Sequence, residues 1–142
     1  MPAMSESAQN PPFSWPVRVY WEDTDAGGVV YHASYLRFME RARSEWLRGL
    51  GIDQSVLKQT TGLAFLVREM QIDFLKAALL DDELSVTVEV KEQRAASILF
   101  TQTIKRADGS SVIRAKVRVA CVDVQRMRAA PIPTGLISAM TS

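Results

Sequence analysis

Trp21-Glu-Asp-Thr-Asp-Ala-Gly-Gly-Val-Val-Tyr-His-Ala-Ser-Tyr35 joins a segment of period two to a segment of helical period. On its upstream side Val17, Val19 and Trp21 alternate with Arg18, Tyr20 and Glu22, which is the pattern of a half-buried strand. On its downstream side Leu36, Met39, Ala42, Trp46 and Leu47 fall on one stripe of a helix over 33–49. Arg37, Glu40, Arg41, Arg43, Glu45 and Arg48 occupy much of the remainder of that helix. Ser34 is the expected N-cap, and Gly49 or Gly51 the expected stop. Between strand and helix, two short acids and paired glycines predict an irregular loop.

Outward from this junction the chain is short of helix and rich in strand. Asp53–Thr60 reads as a second, short helix capped by Asp53 and ended by Gly62. From Leu63 the period is two: Met70, Ile72 and Phe74, then Leu84, Val86, Val88 and Val90, then Ile98, Phe100 and Ile104. Asp108-Gly109 is a hairpin signal, and Ile113, Ala115, Val117, Val119 and Cys121 share one face of the strand after it. One amphipathic helix must bury its stripe against this largely antiparallel sheet, so the fold class is α+β in two layers. One helix is a small cover for about five long strands, which points to an oligomer formed through the sheet. The Pro-rich segment 1–16 is expected to be flexible, 17–130 to form a single domain, and 131–142 to be a C-terminal tail.

Composition excludes several classes. Lys and Arg number 17 against 16 Asp and Glu, so no field of one sign recruits nucleic acid. Cys121 is the only cysteine, which rules out an internal disulfide and a Cys-rich zinc site. No window approaches the ~20 apolar residues of a membrane span, and the first residues do not form a secretory signal. A cytoplasmic setting is therefore expected. Phosphate-cradling glycine loops and His-Glu-x-x-His metal pairs are absent, and no cofactor is expected. Arg114, Lys116 and Arg118 share one strand face, as a solvated surface or as a stripe for phosphate.

The junction is also where the chemistry concentrates. It holds Glu22, Asp23, Asp25, two glycines and the single histidine, His32. A helix start presents unpaired N–H groups and partial positive charge, which polarise a carbonyl oxygen placed there. Glycines admit a ligand close to the backbone, and a carboxylate across the loop serves as base or nucleophile. The same residues also suit plain turn chemistry, capping and a structural histidine, and the spacing alone does not choose between these readings. Asp23 is expected to face elsewhere, with Asp25 the better-placed carboxylate.

Glu22-Asp-Thr-Asp-Ala-Gly-Gly-Val-Val-Tyr-His-Ala-Ser-Tyr35 closely resembles the signature of the YbgC-like acyl-CoA thioesterases, relatives of 4-hydroxybenzoyl-CoA thioesterase. Leu36–Arg48, Leu66–Ala78 and Asp81-Asp-Glu-Leu84 fit the same family, and the likeness spans 17–130. It implies a hotdog fold, a curved antiparallel sheet wrapped around one long helix, assembled as a homodimer or homotetramer with the site at the subunit interface. It implies Asp25 as catalytic carboxylate and His32 as the family's histidine, with the amide at the helix start polarising the thioester. Gly28, Val29, Tyr31, Ala33 and Trp21 are then the substrate-binding positions. The family expects tyrosine four residues before the catalytic acid, where this chain has Trp21, an indole with only a donor N–H. Bacterial members are associated with the Tol-Pal envelope system.

The resemblance thus implies hydrolysis of acyl-CoA to acid and CoA, CoA being part of the substrate and not a cofactor. Two other functions fit a hotdog domain: a non-catalytic module that binds acyl-CoA or acyl carrier protein, and a hydratase using Asp25 with His32. Acyl carrier protein is accordingly a possible partner.

Overall fold

A computed structural model describes residues 11–141, so much of the segment expected to be flexible lies outside the described residues. The first strand, β1 (Phe13–Arg18), begins before the expected boundary at 17. It lies at a sheet edge, where proline is tolerated, and the Pro-rich composition does not prevent pairing with the third strand. After a short 3₁₀ turn at Trp21–Asp23 come α1 (His32–Gly49), α2 (Gln54–Thr61), β2 (Leu63–Phe74), β3 (Glu83–Gln93), β4 (Ser97–Arg106), β5 (Ser111–Asp123), β6 (Arg128–Ala129) and α3 (Thr134–Thr141).

All strand pairs are antiparallel, in the order β1-β3-β4-β5-β2, with β6 beside β5. The chain therefore leaves one edge of the sheet in β1 and returns at the other in β2, and α1 makes the crossing. Its 18 residues span about 27 Å, enough to cover the roughly 19 Å between the outer of five strands. This is the α+β hotdog arrangement, a curled antiparallel sheet around one long helix.

The helix buries Tyr35, Phe38, Met39, Ala42 and Leu47 against Leu84, Val86, Ile98, Ile104, Ile113 and Val117. The buried stripe is rotated from the one read in sequence. Leu36 is exposed, and the core instead takes Tyr35, whose hydroxyl accepts the Ala78 amide at 3.0 Å. That bond satisfies a polar atom which would otherwise oppose burial. Arg43, assigned to the polar side, is buried as well, with its guanidinium bonded to Gln102.

Other local expectations hold. Asp53 caps α2 by accepting the Ser55 and Val56 amides, and Gly62 ends it in the left-handed region. Asp108 and Gly109 form the β4–β5 turn, with Asp108 accepting from Ser110. The alternation along β5 places Ile113, Ala115, Val117, Val119 and Cys121 inside. Arg118 is drawn into an ion pair with Glu92 at 2.9 Å and a bond to Ser97, which takes it out of any phosphate stripe. The segment expected to be a tail carries α3: Pro133 starts the helix, and Ile132 and Met140 are buried against the core.

Phe38→Ala removes the largest fully buried side chain of the helix and is expected to cost about 3–5 kcal/mol of stability, read as a shift in the urea unfolding midpoint at unchanged m-value.

Candidate active site

The polypeptide between β1 and α1 is a closed loop held at three levels. At its base Asp23 is buried: its Oδ2 accepts the Tyr20 amide at 2.9 Å, and its carbonyl accepts the Tyr31 amide at 2.8 Å and the Ser34 hydroxyl at 3.1 Å. Arg37 Nη2 donates to Ser34 Oγ at 2.9 Å and lies 3.7 Å from Asp23 Oδ1, an oxygen with no hydrogen bond. Ser34 is therefore not the N-cap. It sits inside the first turn and ties that turn to the loop. Above this level Thr24 bridges Val30, Val29 bridges Leu79, and the Val30 amide donates to Ala78 at 2.9 Å.

At the tip Asp25-Ala-Gly-Gly28 makes a tight turn. The Gly28 amide donates to the Asp25 carbonyl at 3.0 Å, the Asp25 amide to Val29 at 2.9 Å, and the Gly27 amide to Asp25 Oδ1 at 2.8 Å. Gly28 has φ 82°, a conformation that favours glycine, and a side chain at Gly27 would meet Asp25 Oδ1 at 3.3 Å. The carboxylate of Asp25 thus performs the turn role anticipated for it, and its other oxygen makes no hydrogen bond among the described residues. Asp25 is exposed.

The helix begins at His32, with Tyr31 as an N-cap that offers no side-chain hydrogen bond. The Ser34 amide turns back to the Tyr31 carbonyl at 2.8 Å. The amides of His32 and Ala33 find no such partner among the described residues, and they carry the positive end of an 18-residue helix. The His32 ring stacks obliquely on Tyr31 at 4.5 Å and meets the edge of Phe74 at 6.5 Å. It lines an open groove with Tyr35, Phe74, Leu75 and Lys76. Burial pushes the Tyr35 phenol pKa up, so that hydroxyl stays protonated and structural.

Of the positions expected to form the site, Asp25, Gly28, Val29, Tyr31, His32 and Ala33 all belong to this loop and helix start. Trp21 does not follow the inward pattern of Val17 and Val19, because the strand ends at Arg18 and Trp21 enters the 3₁₀ turn. Its side chain is 76% exposed and lines a different groove, with Arg18, Tyr20, Leu80 and Asp81. Asp23 does point away from Asp25, but into the protein, where it holds the loop. Phe74, Leu75 and Lys76 were not anticipated at the site. They lie at the end of β2 and just beyond it, some forty residues along the chain from His32, and no local pattern announces that approach.

Residues 19–140 match the family model of the thioesterase-like superfamily. The acyl-CoA thioesterase YbgC of Haemophilus influenzae is 52% identical over 121 residues, 85% of this chain and 88% of the relative. The chain belongs to this superfamily, in its YbgC branch. The acyl-CoA thioester hydrolase YbgC of Escherichia coli is 45% identical to this thioesterase over 126 residues, covering 89% and 93% of the two chains. Among solved structures, a probable thioesterase from Bartonella henselae superposes with TM-score 0.80 at 34% identity, covering 87% of this chain and all of that one. A 1,4-dihydroxy-2-naphthoyl-CoA thioesterase from Synechocystis shares the fold, with TM-score 0.84 at 24% identity over 92% and 96% of the chains. Among the described residues of this thioesterase, no helix is long and apolar enough to cross a membrane, and no cluster of three acidic, His or Cys side chains is gathered for a metal ion.

Asp23→Ala is expected to lower stability by about 1–3 kcal/mol, because it strips the acceptor from the Tyr20 amide and the charge facing Arg37. Trp21→Ala is expected to stay within about 0.5 kcal/mol of the parent. Chemical denaturation of the two variants side by side checks both values.

Proposed function

We propose that this thioesterase hydrolyses acyl-CoA to a free acid and CoA on the loop between Asp25 and His32. The observation that carries the reading is the uncapped helix start: two amides without partners among the described residues, next to a turn whose carboxylate has one oxygen that makes no hydrogen bond among them. The thioester carbonyl oxygen accepts from the His32 and Ala33 amides, which stabilise the charge it gains on attack. Asp25 takes the proton of a water that adds to the carbonyl carbon. The carbon–sulfur bond then breaks, the electron pair leaves with the thiolate, and the proton goes to the sulfur. In a second form of the same chemistry Asp25 attacks directly, and water cleaves the resulting anhydride. Single turnover in oxygen-18 water labels Asp25 when water attacks the Asp25 carbonyl of that anhydride, and never labels it in the water-base form. Lys76 on the groove beside His32 gives the polyanionic CoA a cation to approach. The homologues named as acyl-CoA thioesterases support this substrate class.

The working unit in this reading is a homodimer joined along β2. That strand pairs with β5 on one side only, and it leaves Leu66, Val67 and Phe74 between 44% and 54% exposed. A long apolar edge is a template for a second copy. Because Phe74 touches the His32 ring, pairing there would also close the groove.

Asp25→Asn keeps the shape of the side chain and is expected to reduce acyl-CoA cleavage by at least about 10²-fold, with binding retained. His32→Ala keeps the backbone amide and is expected to leave measurable activity. Thiol release across a panel of acyl-CoAs tests both, and parental rates from Asp25→Asn would remove Asp25 from the mechanism. Leu66→Glu combined with Val67→Lys is expected to yield a monomer in light scattering with reduced turnover. An intact dimer would place the interface elsewhere.

A further inference from the structure

One buried charge stands beside the two open amides and takes no part in the proposed reaction. Asp23 is tied to the chain on both sides of them. Its carbonyl accepts the Tyr31 amide at 2.8 Å, just before His32, and the Ser34 hydroxyl at 3.1 Å, just after Ala33. Asp25 follows only two residues later. The Asp23 side chain is 5% exposed, and its Oδ1 has no hydrogen bond among the described residues. A negative charge held out of water is poorly screened. Here it draws on the same positive helix end that the substrate oxygen needs, and it repels the charge that oxygen gains on attack. Asp23 alone would therefore build the loop and oppose the chemistry.

Arg37 answers that charge. Its Nη2 lies 3.7 Å from Asp23 Oδ1 and donates to Ser34 Oγ at 2.9 Å. Neither Asp23 nor Arg37 takes part in another ion pair among the described residues. Stability is a weak reason for an arginine at this position. It stands in the second turn of α1, toward the end whose dipole disfavours cations, and its side chain is half exposed, where an ion pair contributes little. We infer that Arg37 is a positioning residue of thioester hydrolysis that acts through Asp23: it cancels the buried carboxylate, so that the His32 and Ala33 amides present an unopposed positive end to the substrate oxygen. Arg37 needs no contact with substrate for this. The two acids of the loop then have opposite requirements, since the charge of Asp25 is used and that of Asp23 is hidden. The inference rests on the hydrolase reading of the loop.

If charge is what matters, removing the second charge repairs the loss of the first, which a purely structural role does not allow. The test is steady-state acyl-CoA hydrolysis by the full-length protein and its variants, each checked for native circular dichroism. Arg37→Met keeps the unbranched side chain and loses the cation. It is expected to lower kcat at least about tenfold and to change KM less than about threefold, because the opposing charge is felt only as the oxygen becomes negative. Arg37→Lys keeps the cation and is expected to be faster than Arg37→Met. Arg37→Met combined with Asp23→Asn is expected to exceed Arg37→Met alone at least about threefold in kcat. A double variant no faster than Arg37→Met overturns the inference, because Arg37 then only supports the fold. Parental kcat in Arg37→Met overturns it too, with or without a change in KM, and if Asp25→Asn is slow the hydrolase reading survives that result. Parental rates in Asp25→Asn remove the hydrolase reading and this inference together. Should Arg37→Met lack the native spectrum, Arg37→Gln, equally neutral, carries the same expectations.

Discussion

The buried carboxylate of Asp23 and its own carbonyl fix where α1 begins. Three donors converge on this one residue, the Tyr20 and Tyr31 amides and the Ser34 hydroxyl, and Arg37 closes the set from the helix. Because the loop is anchored below its tip, Tyr31 is left as an N-cap with no side-chain bond to give, and the next two amides stay open among the described residues. A serine or aspartate in the capping position would satisfy such amides and stabilise the helix by about 1 kcal/mol. Here that local gain is forgone, and the helix start is held by tertiary contacts instead. Rules broken locally and compensated nearby are what a functional site is expected to leave behind.

The turn at Asp25 has a comparable double character. One carboxylate oxygen organises the turn through the Gly27 amide, which fixes the side chain without engaging the second oxygen. In the proposed reaction the turn bond becomes the orienting contact that a base or nucleophile needs. Catalytic and conformational readings of Asp25 are then two uses of one group.

Much of this was legible in the residues. Periods of two and 3.6, the Asp53 and Gly62 caps and the Asp108-Gly109 turn are local signals, and each became the element it announced. The dense loop was legible too, because its acids, glycines and histidine are adjacent in the chain. What escaped depends on contacts distant in sequence. Trp21 continues a strand pattern by parity, yet the bond from the Asp23 amide to Tyr20 turns the chain first. The helix face rotated because Tyr35 finds Ala78 and Arg43 finds Gln102, partners some forty and sixty residues away. The C-terminal helix is too short for its pattern to stand out, and Leu136, Ile137 and Met140 meeting the core give it a place.

The central claim is that the open amides at the start of α1 polarise the substrate carbonyl. Asp25→Asn would hold an acyl-CoA uncleaved, and a carbon-13 label in the thioester carbonyl isolates its stretching vibration in an infrared difference spectrum. Two backbone hydrogen bonds on that oxygen lower the frequency, so a clear downshift on binding, with a narrowed band, is the predicted result. A carbonyl band at or above its position in free solution would contradict the account.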